Sequence, residues 1–328
     1  MSEPVCWVVG RGGLLGRSVD SLMAPKGATW HPLEPFEWDE PAVLASQLQS
    51  ACLAFFDAVG DAPWQVAWCA GAGVVSSEEW RLERETQALQ CFLSAIADFL
   101  GDRRASSGAL FLASSAGGVY AGAEGAPHSE SSPVRPLSAY GENKLVQEAL
   151  VRSFSSETGT PSLIGRLSNL YGPDQDLSKN QGLITQVCAR MIARQPVVLY
   201  VPLDTIRDYL FVKDAAALVA GGLGRLRSPR SARTGTPVVV KILASGQPTT
   251  VAALLGQIRR VTKRPARIVL ARSPSARPQS LDLRMTSTVW PELDRRPTTT
   301  LGEGIHSVVA DLIRRAGRGP LLAARSSI

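Results

Sequence analysis

The chain has 328 residues, of which 45% are hydrophobic and 20% charged, with a formal net charge of +6. That length suits two domains or one large α/β unit, and the composition excludes a disordered, collagenous or disulfide-stapled chain. Five widely spaced cysteines (Cys6, Cys52, Cys69, Cys91 and Cys188) read as buried free thiols, and His31, His128 and His306 show no ligand spacing, so no metal is expected. No apolar run approaches the roughly 18 residues of a membrane span, and the acidic start Met1-Ser2-Glu3-Pro4 is unlike a signal peptide; the expectation is a cytoplasmic protein. The basic stretches at 259–264 and 314–315 carry no interleaved aromatics, so neither nucleic acid nor a membrane is expected as partner.

Val5 to Val9 reads as a short buried strand that runs directly into Gly10-Arg11-Gly12-Gly13-Leu14-Leu15-Gly16, and a helix follows over 14–24. Gly10, Gly13 and Gly16 satisfy GxxGxxG, whereas leucine at 15 breaks the six-residue GxGxxG. Such a turn can seat a pyrophosphate, because glycine admits positive φ and close backbone approach, and a helix N-terminus supplies free N–H groups. Alone, a glycine-rich turn is more often punctuation; its place between strand and helix favours the ligand reading.

Further strands at Trp64 to Cys69, Ala109 to Ala113 and Ser162 to Arg166 alternate with helical patterns near 41–58, 78–100 and 138–157. Near-continuous apolar strands alternating with helices predict a Rossmann-type doubly wound α/β fold, its parallel sheet covered on both faces. After about residue 170 the alternation fails: Pro173, Pro196, Pro202 and the Ser/Arg/Gly-rich stretch Arg225 to Thr236 interrupt it. The expected division is a large doubly wound domain over 1–170 with a return segment near 206–228, a smaller domain from 171–205 and 229–315, and a loose tail over 316–328.

Ser138-Ala139-Tyr140-Gly141-Glu142-Asn143-Lys144 opens an amphipathic helix with Ser138 as N-cap, which puts Tyr140 and Lys144 one turn apart on one face. An ammonium beside a phenol favours the phenolate, making a proton donor and acceptor. By itself the pair reads as incidental. Two other stretches change the weighing: Ala113-Ser114-Ser115-Ala116-Gly117-Gly118-Val119-Tyr120 after one strand, and Gly165-Arg166-Leu167-Ser168-Asn169-Leu170-Tyr171-Gly172-Pro173 after another.

With the glycine loop, the Tyr-x-x-x-Lys pair and Arg207-Asp208-Tyr209-Leu210-Phe211-Val212-Lys213-Asp214, these stretches resemble the extended short-chain dehydrogenase/reductases, specifically the nucleotide-sugar epimerase/dehydratase branch, over roughly residues 5–310. The resemblance implies NAD or NADP held by Gly10, Arg11, Gly13, Leu14, Leu15 and Gly16, with Asp39 on the adenine and Ala70, Gly71 and Ala72 along the cofactor. It implies Tyr140 as catalytic acid/base, Lys144 on the nicotinamide ribose and a serine on the reacting oxygen; Ser115 is preferred and Ser114 competes. Asn169, Arg207 and Arg277 match positions that hold a nucleotide diphosphate, and Tyr200 reads as core rather than base-stacking. The implied activity is an epimerase or ketoreductase working by hydride transfer on a nucleotide-linked sugar, and a homodimer is compatible with it. A reductase of a non-sugar carbonyl and a non-catalytic NADP-binding protein are the alternatives.

Three departures qualify the resemblance. The acids that 4,6-dehydratases of this branch carry before Val-Tyr are here Ala116-Gly117-Gly118, which removes that route of dehydration. Glu85 stands where the family usually carries asparagine. The second strand ends in Trp30-His31-Pro32 without an aspartate for a ribose 2′-hydroxyl, although Glu34 is near and Arg11 and Arg17 are suited to a 2′-phosphate.

Overall fold

The computed structural model describes residues 3–26, 29–104, 108–179, 181–227, 237–271, 280–319 and 321–322. In chain order its first half comprises β1 (Val5–Val9), α1 (Leu14–Met23), β2 (Thr29–Trp30), α2 (Pro41–Val59), β3 (Trp64–Trp68), α3 (Glu79–Arg104), β4 (Gly108–Ser115), α4 (Ala116–Val119), α5 (Ala139–Thr158) and β5 (Ser162–Leu167). The rest comprises β6 (Asn169–Tyr171), α6 (Leu183–Ile192), β7 (Val197–Leu199), β8 (Ile206–Phe211), α7 (Val212–Leu226), β9 (Val238–Leu243), β10 (Pro248–Thr250), α8 (Val251–Thr262), β11 (Ile268–Leu270), β12 (Asp282–Leu283), α9 (Pro291–Asp294) and α10 (Leu301–Ala316).

Six strands pair in parallel in the order β2-β1-β3-β4-β5-β9. Both faces are covered, which is why the strands are apolar throughout. On one face Leu44, Leu48, Phe55 and Phe56 of α2 and Leu89, Phe92 and Ile96 of α3 pack with Trp7, Trp64 and Trp68. On the other, Val19 of α1 and Val219 and Leu223 of α7 pack with Val8, Phe111 and Leu163. A second sheet, β10-β8-β12 with β6 also paired to β8, lies beyond the carboxyl end of β5 in the chain, and α6, α8 and α10 enclose a separate core of Ile184, Val187, Leu254, Ile258, Ile305 and Val308.

Three features differ from the sequence reading. β9 falls in the stretch expected for the smaller domain but completes the large sheet, in register from Ser162↔Val238 to Leu167↔Leu243; the polar stretch ahead of it hides the return to the sheet. α2, at 19 residues, is long and apolar enough to cross a membrane by length and composition, a property masked because Ser46, Gln47, Gln49 and Ser50 interrupt its apolar run. Its Leu44–Leu48–Cys52–Phe55 stripe is packed in the core. Cys91 is exposed and Cys69 half-buried, whereas burial pushes the thiols of Cys6 up to about 11 and of Cys52 and Cys188 up to about 12.

His128 is fully buried, stacked on Tyr120 with ring centroids 5.5 Å apart, and neither ring nitrogen has a hydrogen-bond partner. Burial pulls its imidazole below the usual histidine range, against a weaker opposite pull from Asp282. The unfolded chain therefore takes up a proton near pH 6.5 that the folded chain resists. Stability is complete above that pH and declines below it, by at most about 1.4 kcal/mol per pH unit. The carboxyls held low, Glu130, Asp176, Asp282, Glu292 and Glu303, release their contribution only in the more acid range below about pH 4.5. Calorimetric melting of the wild type should show a falling limb between pH 7 and 5 that His128→Phe, keeping the stacked ring, flattens; an unchanged limb in the variant assigns it to another group.

Candidate active site

β1 connects outward to β2 at one edge, and β3 lies on the other side of β1, so the chain reverses direction across the sheet at the carboxyl ends of β1 and β3. Crevices at such switch points are where open α/β sheets bind ligands. Gly10 leaves β1 with φ +86° and lies against the loop after β3, where a Cβ on it would fall 2.5 Å from the Ala70 nitrogen. A Cβ on Gly16 would collide with the Gly10 carbonyl. Gly13, the N-cap of α1, differs: its φ is −79°, and the nearest protein atom to its Cβ position is Gly10 O at 3.4 Å. The first backbone bond of α1 runs from Arg17 N to Gly13 O at 3.0 Å, so the N–H groups of Leu14, Leu15 and Gly16 have no acceptor within the helix.

The neighbouring expectations meet this geometry unevenly. Arg11 is exposed on the loop. Arg17 is engaged elsewhere, donating to Gly12 O at 3.1 Å and lying 3.7 Å from Asp174. Asp39 is exposed just before α2, and its carbonyl accepts from Arg84. At the end of β2, His31 hydrogen-bonds Asp20 at 2.8 Å.

On α5, Ser138 caps the helix by accepting from Gly141 N at 3.3 Å, as its position predicts. Tyr140 and Ser115 converge on Gly118, where a Cβ would lie 3.1 Å from Tyr140 Cε1 and 3.3 Å from Ser115 Oγ. Ser115 ends β4 and caps α4, its Oγ accepting from Gly118 N at 3.1 Å. Ser114 points to the opposite face of the strand, is buried, and donates to Glu148 Oε1 at 2.7 Å. Strand alternation thus separates two serines that are adjacent in the chain. Lys144 is buried, with Nζ 5.7 Å from the Tyr140 ring centroid and donating to Gln147 Oε1 at 2.9 Å. Its Nζ also lies 3.8 Å from the Cβ position of Gly71, so Lys144 reaches the small-residue turn after β3.

Asn169 on β6 pairs with Tyr209 on β8, which places Arg207, two residues away, on the same side of the ladder. Asn169 Nδ2 donates to Asp208 O at 3.0 Å. Arg207 donates to the carbonyls of Ile206 (2.8 Å) and Leu281 (3.5 Å) and has no carboxylate within 4 Å among the described residues. Arg277 lies outside the described residues. Tyr200 corrects the core expectation: it is 56% exposed, because β7 ends at Leu199 and the chain turns outward there.

The sequence profile of the NAD dependent epimerase/dehydratase family matches residues 7–231. The chain belongs to that family. A dTDP-L-rhamnose 4-epimerase of Burkholderia thailandensis is 37% identical over 92 residues, 28% of this chain and 25% of that protein. A putative UDP-glucose 4-epimerase of Methanocaldococcus jannaschii is 33% identical over 107 residues, 33% of this chain and 35% of that protein. The match thus spans about a quarter to a third of the length of these curated relatives. Among solved structures, a Thermus thermophilus UDP-glucose 4-epimerase in complex with NAD superposes with a TM-score of 0.73 at 19% identity, covering 94% of this chain and 98% of that one. RMD from Pseudomonas aeruginosa complexed with NADPH superposes at 0.72 with 22% identity, covering 95% and 98%. These likenesses carry the Rossmann-type fold.

In this member of the epimerase/dehydratase family, Glu85 does more than occupy an aligned position. Its Oε1 accepts from both Ala72 N and Gly73 N at 2.6 Å, clamping the turn after β3 to α3. The sequence shows the residue but not the clamp, which is formed across 12 and 13 positions of chain. The buried assembly of Ser114, Tyr120, Glu148 and Arg166 was equally hidden, since its members lie on β4, just past α4, on α5 and on β5, with bonded pairs up to 46 positions apart in the chain.

Proposed function

We propose that this protein is an NAD(P)-dependent epimerase or ketoreductase that acts on a nucleotide-linked sugar by hydride transfer. The observation that carries the reading is the convergence of Ser115 and Tyr140 on Gly118, with Lys144 beside the Tyr140 ring and near the turn after β3 against which the glycine loop packs. A dinucleotide suits the residues present: Gly13 leaves its Cβ space open, and three N–H groups of α1 await an acceptor at the positive end of the helix dipole. Either dinucleotide fits, with exposed Arg11 and the missing acid at the end of β2 suited to a 2′-phosphate. When bound, its nicotinamide supplies hydride exchange.

The chain's own residues then do proton work. Tyr140 takes the proton of a sugar hydroxyl or returns it, Lys144 holds positive charge beside the phenol, and Ser115 Oγ donates to the reacting oxygen. Ala116-Gly117-Gly118 offers no side-chain acid for elimination. Burial pulls the Arg207 guanidinium below its usual range while leaving it cationic, and its protein partners at hydrogen-bond distance are neutral carbonyls. Such a cation suits a diphosphate.

The test is thermal protection by UDP, TDP, GDP or CDP at millimolar concentration, measured as a rise in melting temperature. Arg207→Ala should weaken binding of the protecting nucleotide by roughly 1.5–3 kcal/mol, the range of a hydrogen bond to a charged group, raise KM more than it lowers kcat, and leave NAD(P) affinity unchanged. Arg277→Ala should behave alike. If none of the four nucleotides protects the wild type, reduction of a non-sugar carbonyl becomes the better reading.

A further inference from the structure

We infer that Glu85 sets the redox preference of the bound dinucleotide by placing a half-buried carboxylate, one oxygen of it shielded from solvent, near Lys144; this rests on the reading of Tyr140 and Lys144 as the hydride-transfer site. The clamp on Ala72 and Gly73 uses only Oε1. Oε2 is closed off from solvent and has no hydrogen-bond partner. An ionised oxygen is tolerated in such a place when a positive charge lies near. Lys144 supplies it: Oε2 and Nζ lie 3.2 and 3.8 Å from one point, the Cβ position of Gly71.

The two helices that carry this pair are fastened together close by. Thr86 Oγ1 donates to Asn143 Oδ1 at 2.6 Å, and Gln147 Nε2 donates to Thr86 Oγ1 at 3.4 Å. Lys144 is 6% exposed, and its one hydrogen bond goes to the neutral amide of Gln147. No acid lies within 4 Å of its Nζ among the described residues. The buried ammonium and the shielded Oε2 are therefore close and not bonded to each other, so each acts on its surroundings as a fixed charge.

The oxidised nicotinamide ring is positive and the reduced ring neutral. An ammonium at the nicotinamide end would by itself favour the reduced form, and a neighbouring carboxylate cancels that bias. Two unit charges about 10 Å apart, at the effective dielectric of a protein site, interact by roughly the energy of a tenfold change in an equilibrium constant. Glu85 thereby favours retention of the oxidised dinucleotide and withdrawal of hydride from the sugar as the first step. Within the proposed function this points to the epimerase over the ketoreductase.

Glu85→Gln separates the two jobs of the side chain, because the amide oxygen can still accept from Ala72 and Gly73 while the charge is gone. Dissociation constants of NAD+, NADH, NADP+ and NADPH would be measured by calorimetry for wild type and variant. The oxidised-to-reduced ratio of the preferred dinucleotide should rise about tenfold in Glu85→Gln, through weaker binding of the oxidised form. Lys144→Met should move the ratio the opposite way, which calibrates the effect of one charge at this site; if Glu85→Gln does not fold, Glu85→Asn, the residue the family usually carries there, is the second neutral variant and should raise the ratio alike. A ratio within twofold of wild type in Glu85→Gln, with both forms weakened together or neither weakened, leaves Glu85 as a turn clamp and overturns the inference. A wild type that binds none of the four removes the hydride-transfer reading itself, and the inference falls with it.

Discussion

Replacing Tyr140 by phenylalanine should lower turnover by about 10²–10⁴-fold, the usual contribution of a positioned general acid or base. The loss would be chemical. The Tyr140 hydroxyl makes no hydrogen bond among the described residues and the ring is only half-buried, so the variant should melt within a few degrees of wild type and bind the dinucleotide with nearly unchanged affinity. The two serines give the matching contrast. Ser115→Ala removes both the hydroxyl facing Tyr140 and the cap of α4, so it should impair turnover strongly with a stability loss of about 1 kcal/mol. Ser114→Ala should affect stability, since its hydroxyl serves Glu148, and spare the chemistry. Steady-state rates together with melting curves check all three. Near-normal turnover in folded Tyr140→Phe would remove the acid/base assignment, and sensitivity at Ser114 instead of Ser115 would reverse the choice of hydroxyl.

Motifs that act through neighbours in the chain were legible. The glycine loop and the Tyr140–Lys144 pair could be placed because a strand, a tight turn and the first turn of a helix fix their side chains locally; the glycine loop leaves β1 at the sheet's switch point, and Lys144 Nζ lies near the turn after β3. What depends on tertiary pairing was not. Whether Ser114 or Ser115 faces Tyr140 is a matter of strand phase, and one residue of register exchanges the two. β9 could not be assigned to the large sheet, because parallel pairing with β5 joins segments more than 70 positions apart across a stretch with no periodic pattern. Glu85 was visible only as an unexpected acid; its meaning lies in two backbone N–H groups and a lysine that the fold brings to it.

Arg166 should prove the most sensitive residue for stability among those that do not touch the site's open face. On β5 it stands opposite Ser114 of β4, is 5% exposed, and donates to both oxygens of Glu148 at 2.9 and 2.7 Å and to the Tyr120 hydroxyl at 2.6 Å. Tyr120 passes the chain on by donating to Ser129 O at 2.9 Å. Removing the guanidinium leaves the Glu148 carboxylate, itself 3% exposed, with Ser114 as its one remaining hydrogen-bond donor among the described residues. Breaking a buried pair in this way destabilises a protein by roughly 3–5 kcal/mol, a large part of the 5–15 kcal/mol typical of a folded domain. Arg166→Met should therefore lower the denaturant midpoint sharply. Arg166→Met combined with Glu148→Met should recover at least half of the loss, because the stranded charge is gone and two apolar chains of similar length fill the space. Ser114, Ser115 and Tyr120 belong to the same β4–α4 segment, so the double variant also asks whether the network positions the site: turnover well below wild type in a protein of restored stability would show that it does. A single variant that loses less than about 1 kcal/mol would mean that the buried ion pair does not hold β4, α5 and β5 together.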